Sequence, residues 1–190
     1  GGRDRTIRIW DSKTGKERRD PLSQAGEIVT IAYNHETRRL VTGSTDCSVG
    51  VWDMASYSRL HLSAEHTGRL MSLDISRDGL RLATGGTDGR ILLRDLSRGE
   101  TVKSLEAHTN YVTAVRFSRD RKTLMSISLD GSIKIWDLPS GTIRQDLASD
   151  DNHMLYSLAV ETDQRQLVVG DSRGKIQFWD VVRGTRVREL

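Results

Sequence analysis

"SLDGSIKIWD", residues 128–137, places an Asp130-Gly131 turn signal ahead of an alternating apolar run, Ile133 and Ile135, that ends on Trp136-Asp137. Alternation with period two after a tight turn reads as a β-strand entered from a hairpin. Laid against the rest of the chain, the stretch returns as "GGRDRTIRIWD" (1–11), "GSTDCSVGVWD" (43–53), "GGTDGRILLRD" (85–95) and "GDSRGKIQFWD" (170–180). Trp10, Trp52, Arg94, Trp136 and Trp179 then fall at intervals of 42, 42, 42 and 43 residues. A period held that tightly marks one supersecondary unit stacked many times.

Each unit reads as four short strands and no helix. Upstream of the Trp-Asp strand, "VTAVRFS" (112–118) matches "LMSLDIS" (70–76), "IVTIAYN" (28–34) and "LYSLAVE" (155–161), all rich in β-formers. A turn and a second strand such as "RLATGG" (81–86) follow, and downstream a loop marked by Gly15, Gly99, Gly141 or Gly184 leads into a fourth strand.

Composition narrows the function classes. The 190 residues are 36% apolar and 29% charged, an ordinary globular balance with only two prolines. No apolar run approaches the roughly 20 residues of a membrane helix. A lone Cys47 excludes an internal disulfide framework and fits a reducing compartment, the cytoplasm first and the nucleus second. The net charge of +3 is spread along the chain. The clusters Lys16, Arg18, Arg19 and Arg183, Arg186, Arg188 read as solvated loop charge rather than a nucleic-acid footprint.

Four-stranded units of this length with a Trp-Asp ending and an early histidine resemble the WD40-repeat family of β-propellers over the whole chain. The resemblance implies an all-β propeller segment: a partial blade at 1–20, then four blades at about 21–62, 63–104, 105–146 and 147–190, from a ring of seven or eight. It also implies a buried hydrogen-bonded tetrad in each blade. One set is complete, His108, Ser126, Asp130 and Trp136. A second has His66, Thr84 and Asp88 but Arg94 for tryptophan, and the sequence offers Asp88 as the counter-charge of that arginine. A third has Thr42, Asp46 and Trp52 with Gln24 for histidine. The last keeps Trp179, with Asp151, Val169 and Arg173 in the other slots.

Serine, histidine and aspartate are also the parts of a nucleophilic triad, but a tetrad whose tryptophan occupies the hydroxyl leaves no exposed nucleophile. The five histidines match no metal-ligand spacing, and no glycine-rich phosphate loop occurs in these residues. The sequence therefore predicts no enzyme, no metal and no cofactor. Function is expected where the family docks partners, on the face of the histidine loops and aspartate turns. The exposed positions there map to Glu27, Val29, Arg69, Met71, Tyr111, Thr113, Met154 and Tyr156, with Arg3, Thr45, Thr87, Leu129 and Ser172 before the aspartate slots. Arg69, Met71, Tyr111, Leu129, Met154 and Tyr156 are the candidate partner-binding rim. The leading expectation is a non-catalytic scaffold for proteins or peptides, within a multiprotein complex. The alternatives are the sensing region of a larger signalling NTPase, and a basic-face binder of nucleic acid or other phosphate-bearing ligands. The lipid form of the latter is weakened because the Phe-Arg-Arg-Gly motif of phosphoinositide-binding propellers is missing.

Overall fold

A computed structural model describes residues 2–64, 66–148, 153–161 and 165–190. Its strands form four four-stranded antiparallel sheets, each meandering in chain order, preceded by a two-stranded ribbon. The ribbon pairs β1 (Thr6–Ile7) with β2 (Leu22–Ser23). The first full blade holds β3 (Ile28–Asn34), β4 (Arg39–Ser44), β5 (Ser48–Asp53) and β6 (Ser58–Ala64). The second holds β7 (Leu70–Ile75), β8 (Arg81–Gly86), β9 (Arg90–Asp95) and β10 (Glu100–Glu106). The third holds β11 (Val112–Phe117), β12 (Thr123–Ser128), β13 (Ser132–Asp137) and β14 (Thr142–Ala148). The fourth holds β15 (Leu155–Val160), β16 (Gln166–Asp171), β17 (Ile176–Asp180) and β18 (Thr185–Glu189).

The blades stand beside one another through their first strands, β3 next to β7, β7 next to β11 and β11 next to β15. The first three outer strands run two residues past positions 62, 104 and 146, where the sequence places the unit boundaries. They do so because their ladders continue to the pairs Ser48–Ala64, Arg90–Glu106 and Ser132–Ala148. The ribbon likewise takes its second strand at 22–23, beyond position 20.

The core lies between blades. Ile127, Ile133 and Ile135 of the third blade meet Leu158, Leu167 and Trp179 of the fourth. Leu93 and Leu105 of the second meet Val115, Leu124 and Trp136 of the third. Strands buried on both faces need apolar residues at both parities, which is why Leu92 lies in the interior beside Ile91 and Leu93. At the first junction only β1 and β2 precede the blade. Ile31 is therefore 48% exposed, whereas the equivalent Leu73, Val115 and Leu158 are 3%, 0% and 6% exposed.

Two register slips recur in every full blade. Where the first strand pairs the second, the ladder skips one residue: Val29, Met71, Thr113 and Tyr156. Where the third pairs the fourth, it skips one beside the tryptophan slot: Leu60, Val102, Arg144 and Val187. Such β-bulges turn one side chain out of the sheet's alternation.

Candidate functional site: a self-satisfied interior and a bulged rim

In the third blade Trp136 Nε1 donates to Ser126 Oγ at 3.0 Å, and Ser126 Oγ lies 2.8 Å from His108 Nε2. An ionised carboxylate can only accept, so the histidine carries a proton on the Nδ1 that faces Asp130, and in the neutral ring Nε2 accepts from Ser126. Nδ1 lies 3.2 Å from Asp130 Oδ2 and 2.9 Å from Ser132 Oγ. Asp130 also accepts from the Thr109 amide at 2.9 Å, so the chain of bonds anchors the histidine loop to the turn. Burial works against ionising this aspartate, but the bonds from His108 and Ser132 outweigh it and hold its pKa well below the usual carboxylate range. A hydroxyl fixed between an indole and an imidazole is a fastening and has no freedom to attack a substrate.

The first full blade closes the same circuit without histidine. Trp52 Nε1 donates to Thr42 Oγ1 at 3.0 Å, and Thr42 donates to Gln24 Oε1 at 2.6 Å. Gln24 Nε2 donates to Ser48 Oγ at 2.7 Å, and Ser48 donates to Asp46 at 2.5 Å. A glutamine amide accepts at one end and donates at the other, as a neutral imidazole does.

In the second blade His66 Nε2 lies 2.9 Å from Thr84 Oγ1, and Nδ1 lies 3.0 Å from Asp88. Asp88 is committed to that histidine and to the amides of Thr67 and Arg90. It is therefore not the counter-charge of Arg94 that the sequence suggested, because the turn's own donors occupy it.

The fourth blade departs further. Val169 is core, and Arg173 donates its backbone amide to Asp171 at 2.9 Å. Asp151 lies outside the described residues. Instead Trp179 Nε1 donates to Gln177 Oε1 at 3.1 Å, and Gln177 Nε2 donates to Asp171 Oδ2 at 3.0 Å. Sequence reasoning missed this pair because Asp171 stands two positions before the aspartate slot and Gln177 shares a strand with the tryptophan. The 43-residue spacing was the available signal.

The rim is built from the bulges. Met71 and Tyr156 are the skipped residues of their blades, and they are 40% and 54% exposed. Tyr111 and Met154 immediately precede the first strands and are 43% and 45% exposed. Backbone bonds tie this edge to the aspartate turns: Thr45 to Glu27, Thr87 to Arg69, Leu129 to Tyr111 and Ser172 to Met154, at 2.9 to 3.1 Å. Tyr156 and Met154 touch, with the hydroxyl 3.5 Å from the sulfur. Arg69 is exposed and Leu129 half-buried. Thr113 points sideways and donates to the Leu155 carbonyl at 2.7 Å, locking the third blade to the fourth.

Four of the six residues in the basic clusters are engaged within the chain. Arg18 pairs Asp11 at 2.8 Å, Arg19 lies 4.3 Å over the Tyr57 ring, Arg186 pairs Glu189 at 3.1 Å and Arg188 lies 5.8 Å over Phe178. Among the described residues no group of three or more His, Cys, Asp or Glu side chains is placed to hold a metal ion. Among the described residues no helix is long and apolar enough to cross a membrane.

A search of curated proteins finds no match. The family model described as "WD domain, G-beta repeat" matches residues 21–53, 58–95 and 99–137, more than half of the chain and across the first three full blades. With four-stranded blades at a 42-residue period, the chain belongs to the WD40-repeat family.

Proposed function

We propose that this propeller segment is a non-catalytic docking scaffold that captures protein or peptide partners on the bulged rim. Repeats of this family generally mediate protein–protein interaction. The observation that carries the reading here is the run of large side chains Met71, Tyr111, Met154 and Tyr156, held outward on a backbone that bulges and cross-bonds fix in place. Aromatic and sulfur-bearing side chains on a rigid frame lose little entropy on binding and are the usual anchors of an interface. The polar side chains of the tetrads spend their hydrogen bonds on one another and offer no reactive group.

A photo-crosslinking residue placed at Tyr156 tests it. Cross-links to discrete proteins from that position, with none from the same probe at Ile143 on an outer strand, support the rim. Equal or exclusive labelling from Ile143 refutes it.

A further inference from the structure

The chain has four methionines, and their surroundings divide them in two. Met125 is 2% exposed, in the core between the third and fourth blades with Ile127 and Ile135. Met54 is half-buried against the cluster of Ile7, Leu40 and Trp52. Met71 and Met154 are 40% and 45% exposed, and both stand on the rim. The register slip of β7 turns Met71 outward. Met154 lies just ahead of β15, and the Tyr156 hydroxyl donates to its sulfur at 3.5 Å.

Oxidation of a thioether needs a peroxide oxygen at the sulfur lone pair and water to solvate the polar S–O bond that forms. Burial withholds both from Met125, and exposure supplies both to Met71 and Met154. The product matters at an interface, because a flexible apolar side chain becomes polar and chiral. At Met154 there is a second effect. The thioether sulfur is a weak acceptor and a sulfoxide oxygen a strong one, so the Tyr156 hydroxyl already aimed at this side chain becomes tied to it. One added oxygen atom thus alters two of the four large rim residues.

We propose that Met71 and Met154 are sulfoxidation sites through which a hydroperoxide releases partners from the rim, an inference that rests on the docking role proposed above. With hydrogen peroxide, the sulfur lone pair attacks one peroxide oxygen, and the O–O bond breaks as the S–O bond forms. The departing hydroxide takes the proton from the transferred oxygen. The thioether is oxidised by two electrons and the peroxide is reduced to water. Methionine sulfoxide reductase reverses the change and restores the apolar rim.

The test treats the full chain with hydrogen peroxide and maps the products by peptide mass spectrometry. A partner captured at Tyr156 is then titrated against treated and untreated chain. Met71 and Met154 are expected to gain oxygen about tenfold faster than Met125. Affinity is expected to fall about fivefold at an unchanged melting temperature, and to return after sulfoxide reductase treatment. In Met71→Leu combined with Met154→Leu, which retains Cys47, peroxide should leave the variant's own affinity where it was. Met154→Leu alone, expected to lose part of the peroxide response, serves if the double variant does not fold. Oxidation of Met125 as fast as of the rim methionines, an affinity that peroxide does not change, or a loss that persists in the leucine variant would overturn the switch and leave the rim reading standing. Failure to capture any partner at Tyr156 would sink the rim reading and the switch together.

Discussion

Thr42 donates its hydroxyl to the side-chain carbonyl of Gln24 at 2.6 Å, in the place where Ser126 meets His108 at 2.8 Å. The two blades run one circuit, indole to hydroxyl to acceptor to aspartate, through different side chains. What the interior requires is a group that accepts on one side and donates on the other.

His108→Gln should therefore cost far less than His108→Ala. The alanine leaves Ser126 and Asp130 without their partner and opens a cavity, about 2–4 kcal/mol in total. The glutamine restores both bonds and should cost about 1 kcal/mol or less. Urea unfolding of the two variants checks this, and equal losses would show that ring shape matters more than the hydrogen-bond pattern.

Arg94 is 4% exposed, where the three other full blades bury tryptophan. In Arg94→Trp an indole N–H falls within reach of Thr84, as Trp136 reaches Ser126. Stability should hold or rise by about 1 kcal/mol. Thermal melting measures it, and a clear fall would assign Arg94 a structural role of its own.

Acid should unfold the protein through its turn aspartates. Burial opposes ionisation of Asp88 and Asp130, but bonds from the histidines prevail and depress both pKa values. A depressed carboxylate contributes stability that is complete above its unfolded pKa of about 4 and is lost as pH falls further. Asp130→Asn should thus flatten the stability profile below about pH 4 and lower its plateau above that.

Asp74 has the opposite sign. Burial raises its pKa, against the Phe117 amide that donates to it at 2.7 Å. Its ionisation costs stability as pH rises through its folded value. Asp74→Asn keeps an acceptor for Phe117 and removes the charge, so the melting temperature at neutral pH should rise or stay level; a marked fall would show that the carboxylate charge itself holds the junction.

Much of the fold was legible because two apolar positions before Trp-Asp recur at a fixed period, and Ile91, Ile133 and Val49 all proved to be inter-blade core. The bulges were not legible. The resemblance placed Met71 and Tyr156 on the rim, but nothing in "LMSLDIS" or "LYSLAVE" shows that they bulge, since a register slip depends on the partner strand. The circuit through Gln177 was hidden for a related reason. A side chain two residues from the tryptophan on the same strand can satisfy it, and slot matching looks only at fixed offsets.

The rim's role is tested most directly by affinity. A partner identified by cross-linking at Tyr156 is titrated against the wild-type chain and against Tyr111→Ala combined with Met154→Ala, with melting curves recorded for both. Loss of two exposed anchors should weaken binding at least tenfold, about 1.4 kcal/mol or more, with the melting temperature unchanged. An unchanged affinity in a folded double variant would contradict the account and move the docking surface elsewhere on the propeller.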